Sequence, residues 1–140
     1  MSYNVLIVDD SKSMRRVIRK TLEISGFQIG EYMEAANGRE ALELLENNWI
    51  DLILSDIHMP VMDGFGFLQA LKEKNTNMDI PVIFITTEAN EDRLNELMAL
   101  GARGYIRKPF RPEAVSAFLG RIMGETDDHT MGTNSKGCDF

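Results

Sequence analysis

Short apolar runs recur along the chain at intervals filled by segments of helical periodicity, and this alternation constrains the fold more than any other feature. The runs are Val5–Val8, a weaker and polar-mixed Gly30–Ala36, Leu52–Ser55, Val82–Ile85 and Gly104–Ile106. Between them, Met14, Val17, Ile18 and Leu22 repeat at the spacing of one helix face, as do Leu94, Leu97 and Met98, and then Val115, Phe118, Leu119 and Ile122. Ala41, Leu42 and Leu45, and then Phe65, Leu68 and Leu71, mark two further helices less cleanly. Turn signals separate the segments at Asn37-Gly38, Asp63-Gly64, Ile80-Pro81 and Gly101, and Pro112 followed by Glu113 suits the first turn of a last helix. Strict strand–helix alternation predicts an α/β fold: a parallel sheet wound on both faces by helices. Right-handed crossovers bring the carboxyl ends of all strands to one edge. The near-continuous VLIV and LILS suit central positions, and GEYMEAA suits a sheet edge.

A chain of 140 residues, 44% of them hydrophobic, is enough for one domain with one sheet. Helical periodicity stops near Glu125, so residues 1–124 are expected to form the domain and 125–140 a disordered tail or linker stub. No internal repeat, second core or DNA-binding segment is visible. No apolar run nears the roughly 20 residues that span a bilayer, and MSYNVLIVDD lacks the pattern of a signal peptide. With a single cysteine, Cys138, no internal disulfide can form, which agrees with a cytoplasmic protein. The net charge of −7 opposes direct nucleic-acid binding. A local basic group, Arg103, Arg107, Lys108 and Arg111, is either a solvated face or a dock for an acidic or amphipathic partner helix.

Ligands of open parallel sheets bind beyond the carboxyl ends of the strands. The residues there are Asp9 and Asp10 after the first run, Asp56 after the third, Thr86 and Thr87 after the fourth, and Lys108 after the fifth. Singly, an aspartate after a strand is often a helix cap, a threonine is an ordinary strand residue, and a lysine before proline is an ordinary loop charge. Together they are costly. Two carboxylates at 4 Å repel by about 4 kcal/mol at an effective dielectric of 20, so a lysine and a hard divalent cation are the natural compensation. No His/Cys cluster has zinc spacing. Carboxylates, a hydroxyl and an ammonium around Mg²⁺ or Mn²⁺ suit phosphoryl transfer, with a carboxylate as nucleophile. Asp56 suits that role because IHMPVMDG, which follows it, can loop back and offer a backbone carbonyl to the metal.

With VLIVDDS, LILSDIHMPVMDG, PVIFITTEA and GARGYIRKPF in order, residues 3–124 resemble a response-regulator receiver domain, close in layout to stand-alone chemotaxis regulators. The resemblance implies a doubly wound, flavodoxin-like (βα)5 sandwich with strand order 2-1-3-4-5. It implies that Asp56 is the phospho-acceptor, that Asp10, Asp56 and the backbone carbonyl of His58 bind Mg²⁺, and that Asp9 acts through a metal-bound water. Thr86 is then the switch hydroxyl, Lys108 the partner of a phosphoryl oxygen followed by a cis bond to Pro109, and Tyr105 the aromatic that changes burial with Thr86. The implied donor is the phosphohistidine of a sensor histidine kinase or a small acyl phosphate. The implied output is the surface of the fourth helix, fifth strand and fifth helix, offered to a downstream protein by a monomer or by a dimer formed on activation. The domain is then a switch that assists its own phosphorylation and dephosphorylation, not an enzyme acting on other substrates.

Several positions vary from the commonest pattern. The His58 side chain is expected near the phosphoryl site, where it hinders or hydrogen-bonds the attacking water. Thr87 narrows access, and Glu88 influences the same water; an exposed side chain and a solvated loop acid are the plainer readings of His58 and Glu88. Ile57 stands where the best-known chemotaxis relative carries tryptophan, and Trp49, which precedes the third strand, is poorly placed to report on metal binding. Competing readings fit less well. An aspartyl-phosphate phosphatase carries DxD after its first strand, against DDSK here. A flavin carrier would not put two carboxylates at a phosphate, and GxxxxGK[ST] is absent. Within the switch class, a stand-alone regulator and an isolated receiver or phosphorelay intermediate both remain open.

Overall fold

A computed structural model describes residues 2–74 and 80–123. Five strands alternate with five helices: β1 Tyr3–Val8, α1 Lys12–Ser25, β2 Ile29–Ala35, α2 Gly38–Asn47, β3 Leu52–Ser55, α3 Gly64–Lys74, β4 Val82–Thr86, α4 Glu91–Ala99, β5 Gly104–Arg107 and α5 Pro112–Ile122. All strand pairs are parallel, in the order β2-β1-β3-β4-β5. This is the expected doubly wound sheet, with VLIV and LILS inside and GEYMEAA at an edge. β2 starts and ends one residue earlier than its composition suggests, because Ile29 pairs with Tyr3 across the first rung. The expected tail, 125–140, lies outside the described residues. No described helix is long and apolar enough to cross a membrane.

Alternate strand residues feed two cores. Leu6, Val8, Ile53, Val82 and Phe84 pack with Ala41, Leu45, Phe67, Leu68, Leu71, Leu94 and Leu97 of α2, α3 and α4. On the opposite face, Val5, Ile7, Leu52, Leu54, Ile83, Ile85 and Ile106 pack with Ile18, Leu22, Val115, Phe118 and Leu119 of α1 and α5. Burial on both faces explains why the central strands carry no polar alternation. The helices begin where side chains satisfy their first amides. Ser11 accepts from Met14 N, Asn37 from Glu40 N and Asn90 from Arg93 N. Glu40 Oε1 also accepts from the Ala36 amide at 2.8 Å, one residue before the Asn37 cap. Pro112 sits in the first turn of α5, as anticipated.

Candidate functional site

Parallel register carries three carboxylates to one edge. Val8 pairs with Ser55, so Asp9 and Asp56 leave adjacent central strands at the same level, and Asp56 N donates to Val8 O at 2.9 Å. One oxygen from each of Asp9, Asp10 and Asp56 lies within 4.8 Å of the others. The three differ in exposure: Asp9 is 2% exposed, Asp56 is half-buried and Asp10 is open to solvent. Lys108 compensates two of them, its Nζ lying 3.4 Å from both Asp9 Oδ2 and Asp56 Oδ2. The other oxygens take backbone amides, Asp9 Oδ1 from Ser11 at 2.9 Å and Asp56 Oδ1 from Ile57 at 2.7 Å. Burial nevertheless raises the pKa of Asp9 above its ordinary value, against the lowering by the Ser11 amide and Lys108, and the charge of Asp56 adds to the rise.

The loop after β3 is folded back beneath this edge. Gly64 N donates to Ile57 O at 2.8 Å, and a Cβ on Gly64 would lie 2.8 Å from Phe84 and 3.0 Å from Asp56 O. The same loop holds Val61 at a φ of 69°, a conformation that a β-branched residue rarely adopts. Thr86 ends β4 fully buried, and its Oγ1 accepts from Glu88 N at 3.1 Å. Lys108 N donates to Thr86 O at 2.9 Å, and the peptide from Lys108 to Pro109 is cis, as the resemblance implied. Tyr105, on β5, is half-buried and packs against both cores.

The two expected tuning residues His58 and Glu88 meet each other: His58 Nε2 lies 2.8 Å from Glu88 Oε1. Glu88 Oε2 accepts from Asn90 N at 2.9 Å, and Arg93 Nε lies 3.5 Å from Glu88 Oε1. The Asn90 amide first, and then His58, hold the Glu88 pKa below its ordinary value. Thr87 is exposed beside them. Two residues at the site escaped sequence reasoning. Arg15 Nη1 donates to Asp9 O at 2.6 Å while its Nε contacts Glu34 at 2.8 Å. Arg93 stacks on Phe65 at 4.6 Å. No motif or spacing rule singles out either residue in the sequence.

The donor set fits a hard divalent cation. It is all oxygen, with one carboxylate open to water and two facing an ammonium that only partly offsets them. Asp10, Asp56 and the carbonyl of His58 remain the proposed direct ligands, with Asp9 behind a water.

Comparison with known proteins places the chain in a family. Residues 5–119 match the family described as response regulator receiver domain. The chain is 35% identical over 124 residues to the chemotaxis protein CheY1 of Helicobacter pylori, covering 88% of this chain and 98% of that one. It is 34% identical over 132 residues to a probable transcriptional regulator, ycf27, of Cyanophora paradoxa, covering 94% of this chain but 52% of that one. The chain therefore spans about half the length of some relatives and nearly all of others. The solved structure of chemotaxis response regulator CheY4 of Vibrio cholerae superposes with a TM-score of 0.76 at 38% identity, covering 87% of this chain and 99% of that one. With the family model matched over residues 5–119 and relatives above 30% identity covered almost end to end, this chain belongs to the response regulator receiver domain family.

Proposed function

We propose that the chain is a switch phosphorylated on Asp56 with the help of a bound Mg²⁺, and that phosphorylation alters the α4–β5–α5 surface for a downstream protein. The observation that carries this reading is the meeting of Asp9, Asp10 and Asp56 under the ammonium of Lys108. A carboxylate oxygen of Asp56 attacks the donor phosphorus; the bond to the donor breaks, and the donor keeps the electron pair. Lys108 offsets charge on the transferred group, and the Thr86 hydroxyl turns to donate to a phosphoryl oxygen. The metal, when bound, neutralises further charge on the phosphoryl oxygens. Hydrolysis reverses the state: water attacks phosphorus, the bond to Asp56 breaks, and inorganic phosphate leaves. His58, Thr87 and Glu88 line the approach to the acceptor and set how long the phosphoryl group lasts. The donor is a sensor histidine kinase or a small acyl phosphate. Arg103, Arg107 and Arg111 on and beside β5 suit an acidic or amphipathic partner helix.

The 35% identity to the chemotaxis protein CheY1 of Helicobacter pylori supports a chemotaxis-like regulator as the first reading. The half-coverage of the ycf27 proteins supports a second reading, the receiver portion of a larger regulator or a phosphorelay intermediate. Incubation with Mg²⁺ and acetyl phosphate, followed by intact-mass measurement, tests the acceptor. A hydroxylamine-labile phosphate is expected on the wild type and not on Asp56→Asn; its presence on both would refute the assignment.

A further inference from the structure

Glu88 sits between two partners that compete for one oxygen. Its Oε1 is 2.8 Å from His58 Nε2, a well-made contact, and 3.5 Å from Arg93 Nε, a poor one. The Nε of Arg93 is buried and makes no hydrogen bond among the described residues. A buried unsatisfied donor is costly, yet the residue is otherwise well placed: its guanidinium stacks on Phe65 and borders a groove between α3 and α4 that Asp63, Gln69 and Glu96 also line. A contact shifts a two-state equilibrium only by the difference in what it contributes to each state. Arg93 Nε contributes little in the arrangement seen, so an arrangement that gives it a carboxylate gains by comparison.

The Glu88 backbone is linked to the end of β4. Glu88 N donates to Thr86 Oγ1, so the segment carrying Glu88 is tied to the switch hydroxyl itself. Rotating Oγ1 toward a phosphoryl group on Asp56 takes it off this amide. We propose that Arg93 is a positioning residue for the phosphoryl-loaded state: when Thr86 gives up the Glu88 amide, the Glu88 carboxylate leaves His58 and pairs with Arg93 in the first turn of α4. Acceptor occupancy is thereby passed to α4 by exchange of one carboxylate between two cations or donors, in addition to whatever Tyr105 transmits. The inference rests on Asp56 being the acceptor.

The two partners then act with opposite signs, which a merely structural role would not produce. Beryllofluoride with Mg²⁺ serves as the probe, titrated into the full chain and followed by amide NMR. Arg93→Ala removes the partner of the loaded state and is expected to weaken apparent affinity by about threefold or more, the scale of a half-exposed ion pair. His58→Asn removes the partner of the empty state and is expected to tighten it by a comparable factor. Arg93→Lys, which keeps the charge, should recover part of the loss, and Arg93→Gln should behave as Arg93→Ala if the fold is intact in both. Wild-type affinity in Arg93→Ala, or weakening in both Arg93→Ala and His58→Asn, would overturn the exchange while leaving Asp56 as acceptor. Absence of beryllofluoride binding by the wild type would instead overturn the acceptor reading, and the exchange with it.

Discussion

At the scale of single residues, the site is a compromise between burial and charge. Asp9 is almost wholly buried beside another carboxylate, and Lys108 at 3.4 Å does not fully offset the loss of water. A carboxyl whose pKa is raised by folding binds its proton more tightly in the native state, so its ionisation opposes folding. That cost is absent below the ordinary value of 3.8, where both states are protonated, grows as pH rises, and is complete above the raised native value. In metal-free buffer, Asp9→Asn is therefore expected to stabilise the protein at neutral pH, on the order of 1 kcal/mol, with the gain fading toward pH 3.8 and below. Denaturant midpoints across pH check this. A loss of stability at neutral pH would mean that the Lys108 pair outweighs burial.

At the scale of elements, periodicity made the alternation of strands and helices legible, because both periods follow from which faces are buried. The unbroken apolar character of VLIV and LILS places them centrally, and parallel winding brings the acids after them to one edge. The loops were less legible. His58 and Glu88 are 30 positions apart, and their contact depends on how two loops fold, which no hydrophobic pattern encodes. Nothing in the sequence marks Arg93, because its stacking on Phe65 joins two helices through a single side-chain pair. Asp63-Gly64 is a turn signal in the sequence, yet Gly64 also lets α3 approach the acceptor loop: an added Cβ would meet Phe84 at 2.8 Å, and Asp56 O and Ile57 Cα at 3.0 Å. Gly64→Ala is accordingly expected to destabilise by about 1–3 kcal/mol despite alanine's better helix propensity. A chemical-denaturation midpoint at or above that of the wild type would show that α3 moves away at little cost.

At the scale of the whole molecule, the sheet gathers side chains from four separate segments, so loading the edge should be felt by the entire fold. A cation that binds only the native state stabilises it by about 2.7 kcal/mol at a hundred times its dissociation constant. Added Mg²⁺ is expected to raise the thermal midpoint of the wild type, and the rise should shrink in Asp10→Asn, which removes the exposed carboxylate of the cluster. An equal rise in both would place the cation elsewhere. The central claim is that phosphoryl chemistry occurs at the end of β3. Borohydride reduces an aspartyl phosphate to homoserine, marking the acceptor permanently. After phosphorylation with acetyl phosphate and Mg²⁺, reduction and peptide mass analysis should convert Asp56 alone. Conversion at Asp9 or Asp10, or at no aspartate in protein that has gained phosphate, would contradict the account.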